Sequence, residues 1–265
     1  MSLVFAAVTP HIPLLIPTIG KEQGSEKLAK TITGMRSLEE ALYVAKPDII
    51  CIISPHEGLF DTAFIVNAHT SFTSSYEIFS DFTTKETWEG APDLAAKISH
   101  STNRITEIPL QLISEEKLTH GATVPLHYLT PQNTKTKVLP IGFSNLSTKQ
   151  HIAFGEVLKD VFMLSKYSIA VIASGDLSHT LTHDAPNGYN EQGARLDTML
   201  IDLLEANNTS GIIQIDPEIV SASHECGYRS LLVLLGIIKN MRVTFKTLSY
   251  EHPYGIGHLV GNFEL

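Results

Sequence analysis

The sequence predicts a single α/β domain over residues 1–265, built on a buried and mostly parallel sheet. Three observations predict it. Short, continuous apolar runs rich in β-branched residues recur along the chain, as expected of strands covered on both faces. Stretches with apolar residues at near-helical spacing separate them. Only 18% of the 265 residues are charged, which leaves many for a large core.

The elements follow in order. Residues 3–8 form a first apolar strand that stops at Thr9-Pro10-His11. Residues 24–45 carry Leu28, Ile32, Met35, Leu38, Leu42 and Tyr43 at helical spacing. Residues 48–53 form a second apolar strand, stopping at Ser54-Pro55-His56. Strand, helix, strand is a βαβ unit. Residues 64–68 have some strand character within 60–101, a polar and aromatic stretch with Tyr76, Phe79, Phe82 and Trp88. A long aromatic loop of this kind is expected to cover a substrate. The grammar then repeats: a strand at 137–143, a helix at 147–163 with Ser147 as N-cap, and an apolar strand at 168–173 leading into Ser174-Gly175-Asp176-Leu177-Ser178-His179. Helices are expected at 194–206 and 226–239, the second apolar nearly all round and therefore buried. Residues 242–250 and 258–263 read as closing strands.

Composition removes several function classes. A net charge of −9 with 19 scattered basic residues argues against nucleic acid, which needs a basic face. No run of about 18 apolar residues is present, so no membrane span is expected. The first residues lack the basic region of a signal peptide, and Cys51 and Cys226 are too few for a disulfide framework. The cytoplasm is the expected location. If the chain associates, a two-fold homodimer is the commonest form. No Gly-rich phosphate loop, Gly-x-Ser-x-Gly elbow or Cys-x-x-Cys pair occurs.

The chemistry is sought among 12 histidines. His11, His56 and His179 each lie a few residues beyond the carboxyl end of a predicted buried strand, where open parallel sheets bind ligands. Proline before His11 and His56 fixes its own φ and keeps the preceding residue extended, which aims the next side chain at the rim. Neutral imidazole suits Fe, Zn, Cu and Ni. Two such ligands need a third, and Glu57, Asp176 and Glu225 are carboxylates near the rim. Glu225 reads either as a dipole-stabilising group at a helix start or as the third ligand. Two His and one carboxylate leave open positions on iron; the same set could hold zinc and activate water. His179 suits proton transfer near neutral pH, with Asp176 orienting it or closing an Asx turn. His120 is a second proton-transfer candidate. Cys226 reads as a soft ligand or a buried thiol, and Cys51 as packing. His183, His252 and His258 have weaker contexts; His69, His100, His127 and His151 read as surface or packing residues.

Together, Thr9-Pro10-His11-Ile12-Pro13, Ser54-Pro55-His56, Thr119-His120-Gly121 with Val124-Pro125-Leu126, the 173–179 segment and Glu225-Cys226-Gly227 resemble the class III extradiol ring-cleavage dioxygenase (LigB-like) superfamily. The motifs run in family order over nearly the whole chain. The resemblance implies a three-layer α/β/α sandwich with a central mixed, mostly parallel sheet. It implies Fe(II) on His11, His56 and Glu225, with His179 as catalytic base and His120 assisting, and a small aromatic diol and O₂ as substrates. Residues 178–193 and 225–230 are similar to a branch of AMMECR-associated relatives that includes Memo-like proteins, in which a Cys stands near the third-ligand position. Two further readings stay open: a zinc-dependent hydrolase on the same three residues, and, as the Memo-like resemblance permits, a metal-binding interaction protein without ring cleavage.

Overall fold

The computed structural model describes residues 2–56, 60–103, 105, 108–131 and 135–265. The chain begins with β1 (Leu3–Thr9), then α1 (Pro17–Lys27), α2 (Ala29–Ala45), β2 (Ile49–Ser54), β3 (Phe64–Asn67), β4 (Ser71–Ser74) and β5 (Thr87–Glu89). It continues through α3 (Pro92–Thr102), β6 (Leu110–Ile113), β7 (Lys117–Leu118), α4 (His120–Leu129), β8 (Lys137–Gly142), α5 (Thr148–Met163) and β9 (Ile169–Ser174). It closes with α6 (Glu191–Glu205), α7 (Thr209–Ile213), α8 (Pro217–Ser223), α9 (Tyr228–Ile237), β10 (Thr244–Glu251) and β11 (His258–Glu264).

Eight strands form the main sheet in the order β10-β11-β1-β9-β2-β8-β3-β6. The central four, β1, β9, β2 and β8, are mutually parallel. β3 turns antiparallel against β8, and β11 against β1. Alternation along each central strand sorts its side chains between two cores. Ala6, Cys51, Leu139 and Val171 face the core built with α3, α5, α6 and α9. Ala7, Ile50, Val138 and Ala170 face Met35, Leu38 and Leu42 of α2 and Leu126 of α4. The expected three-layer α/β/α sandwich with a mixed, mostly parallel sheet is therefore what the chain adopts. Among the described residues, no helix is long and apolar enough to cross a membrane.

Local signals explain the elements. Ser147 caps α5 through a reciprocal capping box with Gln150. In α9 every residue but Arg229 is buried, as an all-round apolar helix requires.

The stretch 60–101 departs from a covering loop. It folds into β3, α3 and the strands β4 and β5, which join β7 in a small sheet. Phe72, Tyr76 and Trp88 are buried, and the Trp88 indole N–H donates to Thr130 Oγ1 at 2.9 Å. Phe60, Ile78 and Phe82 are the large apolar residues exposed there. A two-residue period masked by polar neighbours hid the short strands. The α4 helix was hidden by Pro125 inside it.

Candidate metal centre

The parallel register brings four strand ends to one rim. Thr9 pairs with Ser174, Ile53 with Ala173, and Ser54 with Gly142. His11 and His56 leave from the ends of β1 and β2, and 175–179 leaves from the end of β9. His120 enters at the first residue of α4. Gly121 permits this approach: a Cβ there would stand 2.2 Å from Ser54 Oγ and 3.1 Å from His56 Cδ2. The rings of His11 and His56 meet edge to face with centroids 4.9 Å apart. His56 and His120 stack at 4.4 Å.

Hydrogen bonding fixes the tautomer of His11. Ser174 donates its hydroxyl to the Gly121 carbonyl at 2.5 Å, so its oxygen must accept from His11 Nδ1, 3.1 Å away. The proton then sits on Nδ1 and the Nε2 lone pair is free, the form in which a histidine ligates a metal. Burial pulls His11 down to about 3 against the opposing charge of Asp176; His56, His120 and His179 lower it further. Burial likewise draws His120 to about 4 and lowers His56 and His179. Each ring is neutral near pH 7.

Two acidic groups face these rings. Asp176 Oδ2 lies 3.7 Å from His11 Nε2. Burial alone would raise this carboxyl, but His11, His258 and His179 hold it well below the usual carboxylate range. Cys226 Sγ lies 3.5 Å from His11 Nε2 and 3.9 Å from His179 Nε2. Ligand bonds of about 2.0 Å to nitrogen and 2.3 Å to sulfur at a tetrahedral angle separate N and S by about 3.5 Å. The His11–Cys226 spacing therefore suits two ligands of one ion. Burial, reinforced by Asp176, pushes the thiol well up; a bound cation reverses that preference by stabilising thiolate.

The structure brings His11, His56, His120 and His179 to this rim, and does not bring Glu225. The two donor groups close enough to share an ion, among the described residues, are His11–His56–His120 and His11–Asp176–Cys226. Glu225, expected as the third ligand, stands apart from these two groups, beyond a left-handed turn. His224 ends α8 at φ 51°, and its successors point to opposite sides. Cys226 enters the rim. Glu225 instead accepts from the Tyr228 backbone N–H at the start of α9 and lines a groove of about 350 Å³ with Arg229 and His151. That is the dipole-stabilising role weighed from the sequence. Burial pushes the Glu225 carboxyl up to about 7. Glu57 lies outside the described residues.

His120 Nδ1 is buried without a partner among the described residues, and its ring meets the edge of Phe79 at 5.1 Å. The sequence undervalued His258. It opens β11, whose antiparallel register pairs Gly261 with Val8. Three residues back along β11, His258 is level with His11. Strand beginnings as well as strand ends can reach such a rim. His151 is a buried core histidine, and His127 pairs with Glu86. His69 bonds the Ser71 carbonyl, as local surface residues do.

Comparison with known proteins agrees in family and fold. Residues 5–261 match the family described as the catalytic LigB subunit of aromatic ring-opening dioxygenase. A Clostridium acetobutylicum protein designated CA_C1420 is 29% identical over 273 residues, covering all of this chain; the chain spans 58% of that relative's length. A crystal structure of an uncharacterised Escherichia coli K12 protein, JW3007, superposes with a TM-score of 0.60 at 17% identity. It covers 86% of this chain and 91% of that one.

Proposed function

Since the chain belongs to the LigB family of aromatic ring-opening dioxygenase catalytic subunits, we propose that it is a metal-dependent oxidoreductase of the extradiol type. Its substrates are a small aromatic diol and O₂, and His11, His56 and Cys226 hold Fe(II) at the rim. The observation that carries this reading is the His11 tautomer, with Nε2 unprotonated and Cys226 Sγ at ligand spacing. The residues fit a divalent cation: neutral imidazoles, an ionised carboxylate and a thiol converge, and the ion-pair partners of Asp176 among the described residues are both histidines. Bound Fe(II) supplies redox chemistry and open coordination positions that no side chain provides.

The chain's own residues do the rest. His56 is exposed at the mouth of the site and meets the incoming substrate first. His179 is neutral and accepts a hydroxyl proton at an imidazole nitrogen, which raises electron density on the ring to be opened. His120, held against Phe79, hydrogen-bonds to the substrate or to oxygen. Asp176 balances the charge that His179 acquires.

A second reading rests on the thiol. Thiolate is a soft ligand and suits zinc as well as iron. With zinc the same residues would serve a hydrolase, or a metal-binding protein without ring cleavage.

Anaerobic loading with Fe(II) or Zn(II), followed by metal analysis and oxygen uptake with a panel of catechols, separates these. One iron per chain with catechol-dependent uptake and a ring-opened product supports the first reading. Tight zinc, with no uptake after iron loading, moves the function to the second. Absence of any bound metal sinks both.

A further inference from the structure

We propose that His258 is a positioning residue for the metal rim, acting through Asp176. The inference rests on the reading of this rim as a metal centre. His258 is fully buried, and its Nδ1–H donates to Asp176 Oδ1 at 2.9 Å. The same oxygen accepts the His11 backbone N–H at 3.3 Å. The other oxygen is left facing His11 Nε2. The Asp176 carbonyl meanwhile accepts the backbone N–H groups of Cys226 and Gly227 at 3.2 and 3.0 Å. Its own N–H lies 3.3 Å from Cys226 Sγ. One aspartate thus ties the His11 segment to the Cys226 turn, and among the described residues His258 is the one side chain hydrogen-bonded to its carboxylate.

Packing does not account for a histidine at this position. A leucine would fill the space, whereas His258 leaves Nε2 buried without a partner among the described residues. What the imidazole adds is a single fixed donor aimed at Asp176. Outer groups of this kind orient the ligands, and their loss typically weakens metal binding.

The test compares His258→Leu, His258→Asn and wild type by Co(II) titration, reading affinity and the absorption bands of the bound ion. The amide of asparagine reaches the place of imidazole Nδ1 and restores the donor. His258→Leu is expected to weaken Co(II) binding about 10–100-fold and shift the bands, with His258→Asn within roughly threefold of wild type. Wild-type affinity and spectrum in His258→Leu overturn the proposal. So does equal damage in both variants, which would mark the ring as mere packing. If wild type takes up no Co(II), the metal reading fails instead, and the pair is judged on metal-free protein by exchange of the His11 amide. That amide should exchange faster in His258→Leu and at the wild-type rate in His258→Asn; equal rates in all three overturn the positioning role.

Discussion

Two aspartates, Asp176 within the loop 175–179 and Asp197 hydrogen-bonded to it, have opposite characters. Both are buried, Asp176 at 4% exposure and Asp197 of α6 at 1%. Burial works to raise both carboxyls. For Asp176 the surrounding imidazoles of His11, His258 and His179 win, and it is held ionised. Asp197 accepts from two neutral donors, the Ser178 N–H at 2.9 Å and the Tyr250 hydroxyl at 2.7 Å, and the imidazoles of His252 and His258 act on it more weakly. There burial wins and the carboxyl is pushed up to about 6. Depth in the protein therefore does not distinguish the chemical side of this loop from its structural side. The difference is which influence prevails: the imidazoles of His11, His258 and His179 outweigh burial at Asp176, whereas at Asp197 two neutral donors and the more weakly acting His252 and His258 do not.

The largest effect should come from breaking the imidazole side. His11→Ala removes the ring whose Nε2 faces both Asp176 and Cys226. Loss of stoichiometric metal, by more than about 100-fold in affinity, is expected, because even outer groups cost 10–100-fold. Metal analysis after dialysis against a weak chelator checks this. Undiminished metal in His11→Ala would show that the rim does not hold it.

A sharper contrast lies one residue apart. Cys226→Ser should weaken metal binding at least about tenfold, since a hydroxyl is a far poorer ligand than a thiolate. Glu225→Gln should leave it within roughly threefold, because the carboxylate is engaged at the start of α9 and an amide oxygen can still accept there. Competition titrations with a chromophoric chelator give both values. If Glu225→Gln is the damaging change, the turn at 224–226 rearranges when the metal enters.

The sequence made the rim legible because strand ends carry their own punctuation. Apolar runs closed by Pro-His placed His11 and His56, and an apolar run closed by Ser-Gly-Asp placed His179. These features depend on local backbone rules. Glu225 against Cys226 was not decidable in that way. Neighbouring residues differ in direction according to φ and ψ, and the left-handed φ of His224 has no glycine to signal it. His258 was undervalued because its place depends on a strand pairing some 250 residues apart. The small sheet of β4, β5 and β7 was missed because two- to four-residue strands give too little alternation to read.

Asp197→Asn should produce the smallest effect, and one that changes with pH. Its carboxyl has a folded-state pKa of about 6, above the ordinary 3.8. The folded state therefore holds a proton that the unfolded chain releases. The associated stability is fully present below about pH 3.8 and is lost as pH rises through 6. Asparagine mimics the protonated form: its oxygen can accept from Ser178, and its NH₂ can donate to Tyr250. Relative to wild type, Asp197→Asn should gain little at pH 4 and about 3 kcal/mol at pH 8. Urea unfolding of metal-free protein at both pH values reads the difference directly. A gap that stays constant with pH would mean that Asp197 is ionised throughout. Its neighbours would then outweigh burial as the imidazoles around Asp176 do, and the contrast between the two aspartates would be lost.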